Sequence, residues 1–264
     1  TFTGDDSLRK RPMARVIKPL SKMGAQLVSR ENSRLLPLAI LPVEQIKAIN
    51  YEMPMASAQV KSAILLAGMY ADSKTIVTEP YVSRDHTEKM FETFGVELYK
   101  EGTSVGIQKV EQLISPETLE VPGDISSAAF WLVAASIIPN SNLTLKNVGV
   151  NKTRTGIIDV LLNMGADIKV VNERMSGKEP MADLIVKSAK LKGTSFGAEI
   201  MPRLIDEIPV IAVAAMFAEG KTVITGAEEL RVKETDRLSA VVNEFSKMGG
   251  NIVGTEDGLI IEGT

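Results

Sequence analysis

The sequence predicts a mixed α/β (α+β) protein assembled from repeated helix–strand units. Three observations lead to this prediction. Four segments end a helix with Met-Gly or Phe-Gly, three apolar helices each precede a β-branched strand, and a charged turn recurs between a strand and a helix. The repeats recur roughly every 70 residues, which is long for a solenoid and fits whole α/β subdomains.

The four Met-Gly or Phe-Gly segments are LSKMGAQLV, FETFGVELY, LLNMGADIKV and FSKMGGNIV, with glycines at Gly24, Gly95, Gly165 and Gly249. In each one an amphipathic stretch reaches the glycine and then alternates apolar and polar residues. This pattern predicts a helix that ends at a Gly with positive φ and is followed by a strand.

A second similarity lies upstream of the last three segments. The apolar helical stretches are SAQVKSAILLAGMYA, SSAAFWLVAASII and DEIPVIAVAAMFAEG, and the strands that follow are KTIVTE, NLTLKNV and KTVITG. The charged turns SRDHTEKM, NKTRTGII and VKETDRLS come next. Since free N–H groups and the positive dipole end favour anions at helix N-termini, converging turns of this kind predict a cleft for anionic ligands.

The polar stretch KVEQLISPETLEVPGD predicts a domain boundary. It contains Pro116, Pro122 and Gly123, and a new helix is expected to start at Asp124. We place the boundary near residue 121, which gives domains 1–121 and 122–264.

Composition excludes several kinds of chemistry. The 264 residues are 44% hydrophobic and 24% charged, with a net charge of −3 that offers no case for nucleic acid or anionic membrane as the main partner. The chain has no cysteine, so disulfides, thiolate nucleophiles and Cys-based zinc sites are excluded, and its single histidine, His86, cannot form a multi-His metal site. The chain starts without Met and ends after a strand-like run, which predicts a fragment of a longer protein.

Candidate anion-binding residues in the first half lie at predicted helix starts. Arg11 follows two other cations, and cations oppose the dipole at a helix N-terminus, although a basic surface residue is the plainer interpretation. Ser57 and Gln59 open a helix and fit either an N-cap or a phosphate contact. Arg84 fits a capping cluster or a bidentate phosphate contact. Lys61 is predicted to be an exposed helix residue.

The second half offers acid–base candidates. Asp206 precedes an apolar helix, where an acid is normal at a helix N-terminus but can also act as a general base. Lys233, Glu234 and Arg237 taken alone favour a solvated helix start. Their combination of an acid with two cations also suits proton transfer beside a bound anion.

The motifs SAQVKSA, SRDHTEKM, VPGDISSAAFWL, NKTRTGIIDVL, RLIDEIPVIAVAAMFAEG and LRVKETDRL together resemble the 5-enolpyruvylshikimate-3-phosphate synthase family. The resemblance runs from end to end of the chain. Ala58, between Ser57 and Gln59, and the SRDHTE turn resemble its glyphosate-insensitive, class II bacterial branch.

The resemblance implies repeated βαβαββ units of the enolpyruvyl transferase (inside-out barrel) fold, here in two partial domains. It implies transfer of the enolpyruvyl group of phosphoenolpyruvate to the 5-hydroxyl of shikimate 3-phosphate, with release of phosphate through a tetrahedral intermediate. No metal or organic cofactor, a cytoplasmic location and a monomeric parent protein are also implied.

The same resemblance implies roles for individual residues. Asp206 is implied to face the 5-hydroxyl as base, Glu234 to exchange the proton at the methylene carbon of phosphoenolpyruvate, and Lys233 to stabilise charge near the reacting centre. The implied substrate-binding set is Arg11 and Arg237 for phosphoenolpyruvate, Ser57 and Arg84 for the shikimate phosphate, and Ala58 and Gln59 alongside, with Asp206 and Lys233 shared.

Four motifs of the family have no counterpart in this chain: an amino-terminal Lys-Ser, an Asn-x-Gly-Thr loop, a late Asp-His-Arg and a late Lys. We therefore expect the isolated chain to be inactive. Two alternatives stay open at this point. One is the related UDP-N-acetylglucosamine enolpyruvyl transferase, and the other is a non-catalytic module that retains only substrate binding.

Overall fold

The chain forms two compact units in a computed structural model that describes residues 1–232 and 235–264. One unit covers Thr1–Glu117 and the other Thr118–Thr264. The division falls a few residues before the boundary predicted near residue 121. The assignment of 1–121 and 122–264 to two enolpyruvyl transferase domains stays a prediction.

The first unit contains two sheets and the helices that cover them. Its helices are α1 (Asp6–Arg9), α2 (Ala14–Lys22), α3 (Arg30–Ser33), α4 (Ala58–Gly68) and α5 (His86–Thr93). Its strands are β1 (Gln26–Ser29), β2 (Leu35–Leu41), β3 (Asn50–Glu52), β4 (Thr75–Thr78), β5 (Leu98–Glu101) and β6 (Ser104–Ile107).

The second unit has the same kinds of elements. Its helices are α6 (Ile125–Ile137), α7 (Gly156–Asn163), α8 (Ile208–Met216) and α9 (Arg237–Lys247), with 3-10 turns at Met201–Arg203, Ile205–Glu207 and Glu228–Val232. Its strands are β7 (Asn142–Gly149), β8 (Asp167–Ser176), β9 (Glu179–Lys187), β10 (Ser195–Phe196), β11 (Gly220–Ile224), β12 (Asn251–Gly254) and β13 (Leu259–Gly263). Among the described residues no helix is long and apolar enough to cross a membrane.

Two four-stranded sheets repeat one topology, and a three-stranded sheet repeats part of it. In the order β3-β4-β6-β5 the first two strands are parallel and the remaining pairs are antiparallel, and β10-β11-β13-β12 follows the same order. The sheet β7-β9-β8 lacks a first strand, but a parallel bridge between Gly123 and Val148 lies where that strand would pair. The helix, strand, turn, helix, Gly, strand order predicted from the sequence is confirmed three times, and each time a second strand follows.

Each of the four glycines predicted to end a helix has a positive φ. The values are +90° for Gly24, +78° for Gly95, +89° for Gly165 and +90° for Gly249. The helices α2, α5, α7 and α9 precede these glycines, and β1, β5, β8 and β12 follow them. A residue without Cβ adopts this conformation at low cost, so the sequence pattern reports the backbone directly.

Each unit has its own apolar core. In the first unit α4 buries Ile64 and Leu65 against Met23, Val77 and other apolar side chains. In the second unit the helices α6, α7 and α8 supply much of a larger core. Strands and other helices cover the buried faces of these helices, while Phe130 and Trp131 of α6 remain exposed.

The sequence suggested that the three cations before α2 all oppose a helix dipole. The structure shows that they do not. Arg9 lies in the last turn of α1, where a cation is favoured, and Lys10 caps the C-terminus of that helix. Arg11 lies between α1 and α2, and its backbone N–H donates to the carbonyl of Leu8 over 3.1 Å.

We expect Gly258→Ala to destabilise the second unit. A Cβ at Gly258 would lie 1.8 Å from the carbonyl oxygen of Ile224, so the backbone itself must move. Overpacking of this kind costs about 1–3 kcal/mol of unfolding free energy, measurable by urea denaturation. Gly102→Asn is the control, because Gly102 has φ +58° with nothing within 4 Å of an added Cβ, and Asn tolerates that backbone. Equal stability of the two variants would contradict the expectation.

Candidate active site

The start of α4 is held by Ser57, as predicted for an N-cap. The Ser57 Oγ accepts a hydrogen bond from the backbone N–H of Val60 over 3.4 Å. Ala58 is the first helical residue, and the Oε1 atom of Gln59 accepts a hydrogen bond from Arg15 Nη2 over 3.2 Å. The positive end of an eleven-residue helix therefore carries three of the predicted binding residues.

The turn that carries Arg84 leads into α5, a helix in direct contact with α4. It lies between β4 and α5, and the hydroxyls of Ser62 on α4 and Thr87 on α5 are 2.6 Å apart. Arg84 is half-buried. Arg11 precedes α2, the helix whose Arg15 contacts Gln59, so the predicted residues of this unit come from elements that pack on one another.

Lys61 is buried, and its prediction as an exposed residue is wrong. Its side chain is 2% exposed, and Nζ lies 2.8 Å from Glu79 Oε2 and 2.7 Å from Glu88 Oε1. Both carboxylates are themselves buried. The helix pattern did not reveal this because a lysine on an apolar helix is normally at the surface, and its two partners lie on other elements.

In the second unit the structure brings Asp206 and Arg237 together. Asp206 lies in the short 3-10 turn before α8, and Arg237 is the first residue of α9. Arg237 Nη1 lies 3.5 Å from Asp206 Oδ1, and the two side chains are 31% and 35% exposed. An acid and a cation predicted from two distant motifs therefore form one partly solvated pair that a ligand can reach. Lys233 and Glu234 lie outside the described residues.

A polar network that the sequence reasoning missed lies beside Asp206. Arg154 Nη2 lies 3.1 Å from Asp124 Oδ1 and donates to Ser126 Oγ over 2.6 Å, and Ser126 in turn donates to Glu207 Oε1. Glu207 is 2% exposed and is the immediate neighbour of Asp206. A signal was available: Arg154 stands just before α7, where a cation opposes the helix dipole.

The carboxylates at two helix starts are held ionised. Burial favours the neutral acid of Asp124, but the backbone N–H groups of Ser126 and Ser127 and the charge of Arg154 outweigh it and keep the pKa of Asp124 below its ordinary value. The backbone N–H of Ser239, its hydroxyl and Arg231 lower the pKa of Asp236, which caps α9.

The Asp236 cap predicts a pH-dependent contribution to stability. Because its pKa is lowered in the folded protein, its stabilisation is complete above the unfolded pKa of about 3.9 and is lost as pH falls through the folded pKa. The urea midpoint of the wild type should exceed that of Asp236→Asn at pH 7, and the difference should shrink as pH falls below the unfolded pKa of about 3.9. A difference that stays constant with pH would show that the ionised form is not what stabilises α9.

Within residues 1–232 and 235–264 there is no group of three or more His, Asp or Glu side chains arranged to hold a metal ion. His86, the first residue of α5, is exposed.

The fold and the site together define a class of protein. It is an α/β protein of repeated open sheets whose charged turns lie at helix starts and combine cations with a reachable carboxylate. The family model for EPSP synthase (3-phosphoshikimate 1-carboxyvinyltransferase) matches residues 1–264, and the chain belongs to that family.

Individual proteins similar to this chain carry the name of the same family. The 3-phosphoshikimate 1-carboxyvinyltransferase of Thermoanaerobacter sp. (strain X514) is 55% identical over 264 residues, which is all of this chain and 62% of the relative. The protein of the same name from Thermosynechococcus vestitus is 56% identical over 264 residues, again all of this chain and 60% of the relative. The chain thus spans less than two thirds of these relatives.

Solved structures show the same fold. An EPSP synthase from Acinetobacter baumannii superposes with a TM-score of 0.89 at 48% identity, over 99% of this chain and 59% of that one. The predicted enolpyruvyl transferase fold of repeated βαβαββ units is therefore confirmed. In the described part of this chain the sheets are open and none closes into a barrel.

Proposed function

We propose that the protein carrying this chain transfers the enolpyruvyl group of phosphoenolpyruvate to the 5-hydroxyl of shikimate 3-phosphate. The 5-oxygen bonds to C2 of phosphoenolpyruvate while its proton goes to a base and the methylene carbon gains a proton. The tetrahedral intermediate then loses phosphate and a proton from the new methyl group, which restores the double bond. The relatives carry the name of this reaction, and the chain spans 62% of the first of them.

The pairing of Asp206 with Arg237 is the observation that carries the proposal. A carboxylate that a ligand can reach is equipped to accept a hydroxyl proton, and the guanidinium 3.5 Å away is equipped to hold an anionic co-substrate next to it. We assign Asp206 as the base for the 5-hydroxyl and Arg237 as a phosphoenolpyruvate ligand. Preorganised cations that meet developing charge contribute several kcal/mol to such reactions, as an order of magnitude.

The first unit supplies the proposed site for the shikimate phosphate. The positive dipole end of α4 lies at Ser57, and the turn before α5, a helix that contacts α4, adds Arg84. Gln59 and Ala58 open the same helix; we assign both to the substrate-binding set, with Gln59 placed between the two substrates. Arg11 is assigned to phosphoenolpyruvate. Roles for Lys233 and Glu234 in charge stabilisation and proton exchange rest on the sequence motif alone.

The proposed partners are two small anions, without nucleic acid or membrane. The net charge of −3 supports this, because attraction for substrates then comes from local cations such as Arg84 and not from a basic surface. The proposed compartment is the cytoplasm, and the proposed state of the parent protein is a monomer.

A chimera tests the proposed activity. In the chimera this chain replaces the matching 264 residues of the Thermoanaerobacter relative. We expect phosphate release that requires both phosphoenolpyruvate and shikimate 3-phosphate, and no release with UDP-N-acetylglucosamine. The isolated chain is expected to release none, because it lacks four family motifs. Release with UDP-N-acetylglucosamine and not with shikimate 3-phosphate would assign the alternative reaction.

Arg84→Ala is expected to weaken binding of shikimate 3-phosphate to the isolated chain by about 10- to 100-fold, the range for loss of a charge-assisted contact. Isothermal titration calorimetry measures the dissociation constant. Lys109→Ala is the matched control, because it also removes one cation from the first unit but one that pairs with Glu111 at an exposed site. Equal affinities of the two variants would remove Arg84 from the proposed phosphate site.

A further inference from the structure

The buried cluster of Lys61, Glu79 and Glu88 is not used by the mechanism proposed above. All three side chains are 2–3% exposed, and both carboxylates contact the same ammonium group. Glu79 Oε1 and Glu88 Oε2 are buried without a hydrogen-bond partner in the described structure. Such a cluster contributes little net stability, since desolvation of the charges offsets their attraction. What the cluster fixes in place is therefore the better guide to its role.

Glu79 connects the cluster to the turn that carries Arg84. Its Oε2 accepts a hydrogen bond from Lys61 Nζ over 2.8 Å and another from the backbone N–H of Ser83 over 3.3 Å. Ser83 is buried and directly precedes Arg84. At the other end, the backbone N–H of Lys61 donates to the carbonyl of Ser57 over 3.0 Å in the first turn of α4. One carboxylate oxygen thus links the helix of Ser57 to the turn of Arg84.

Glu88 completes the cluster but holds a different element. It lies in the first turn of α5, and through Lys61 it draws that helix towards α4. Of the two carboxylates, it is Glu79 that accepts a hydrogen bond from the turn. The two acids therefore share the same cation and similar burial, and they differ in their contact with Ser83.

We propose that Glu79 is a positioning residue for the phosphate site of shikimate 3-phosphate, and that Lys61 orients it. Glu79 holds the backbone of the turn at Ser83. This contact sets the position of the Arg84 backbone relative to the N-terminus of α4. This inference rests on the proposed function, since it concerns the same phosphate-binding residues.

Two matched variants separate positioning from charge. Glu79→Ala and Glu88→Ala each leave Lys61 paired with one carboxylate, but Glu79→Ala also removes the acceptor of the Ser83 N–H. By titration of the isolated chain, we expect Glu79→Ala to weaken binding of shikimate 3-phosphate about tenfold and Glu88→Ala to change it less than about threefold. Glu79→Gln keeps an acceptor oxygen and should restore affinity. Equal losses in the two alanine variants, or no loss in Glu79→Ala, would overturn the proposal.

Amide hydrogen exchange at Ser83 gives a readout that needs no ligand. Protection is expected in the wild type, Glu88→Ala and Glu79→Gln, and its loss is expected in Glu79→Ala. A wild-type Ser83 amide that exchanges as fast as an unstructured one would show that the hydrogen bond from Ser83 to Glu79 does not hold the turn. This outcome would overturn the proposal even if Glu79→Ala does not fold. If the wild type shows a protected amide but binds no shikimate 3-phosphate, the proposed binding role fails. The hydrogen bond from Ser83 to Glu79 then positions no phosphate site, which also overturns the positioning proposal.

Discussion

Asp206→Asn is expected to lower kcat for enolpyruvyl transfer in the chimera by about 10²- to 10⁴-fold, the usual contribution of a general base. Asn keeps the size of the side chain and can still accept a hydrogen bond from Arg237, but it cannot take the hydroxyl proton. The KM values should change far less than kcat, since the groups proposed to hold the substrates are retained. Steady-state phosphate release gives both quantities.

Asp183→Asn is the control for Asp206→Asn. It makes the same chemical change in the same unit, on β9, at a carboxylate that accepts hydrogen bonds from Asn147 and Asn172. We expect kcat within about threefold of the wild type for this control, since exposed structural contacts of this kind contribute little to a reaction elsewhere. If kcat for Asp206→Asn stays within about tenfold of the wild type, below the usual range for a general base, Asp206 is not the base.

Lys61→Ala is expected to destabilise the first unit by about 3–5 kcal/mol, the cost of leaving buried charge uncompensated. The substitution removes the cation that contacts both buried carboxylates, and it leaves Glu79 and Glu88 close to each other. Equilibrium urea denaturation, followed by a probe in residues 1–117, measures the loss. The unit can also fail to accumulate as folded protein, which is the same effect at its extreme.

Lys100→Ala is the matched control for Lys61→Ala. Lys100 also pairs with a glutamate, Glu92, but the two side chains are 48% and 29% exposed. Pairs at the surface contribute about 0–1 kcal/mol, so the two lysine substitutions should differ several-fold in cost. Similar small losses for both would mean that the cluster around Lys61 is open to water in solution.

The repeat was the part of the fold that the sequence revealed best. A positive φ at a helix end favours glycine, so this local backbone requirement can be recognised from the residue type. The positions are Gly24, Gly95, Gly165 and Gly249. Strand order was not visible in the same way. The parallel pairing of β3 with β4, or of β10 with β11, joins residues far apart in the chain, and no local pattern specifies it.

Side-chain partners across elements were the part that sequence reasoning missed. Lys61 has the sequence pattern of a surface residue because neither Glu79 nor Glu88 is near it on its own helix. The bond of Arg154 to Ser126 likewise joins two separate helix starts. By contrast, the meeting of Asp206 and Arg237 could be anticipated, because the family resemblance assigned both to one site.

The most direct test of the proposed function is a calorimetric titration of the folded 264-residue chain with shikimate 3-phosphate, with UDP-N-acetylglucosamine as the competing ligand. We predict saturable binding of shikimate 3-phosphate and none of UDP-N-acetylglucosamine, because the start of α4 and the Arg84 turn form the proposed site for the shikimate phosphate within the first unit. Absence of binding to shikimate 3-phosphate would contradict the proposed phosphate site in the first unit, and preference for UDP-N-acetylglucosamine would contradict the proposed function.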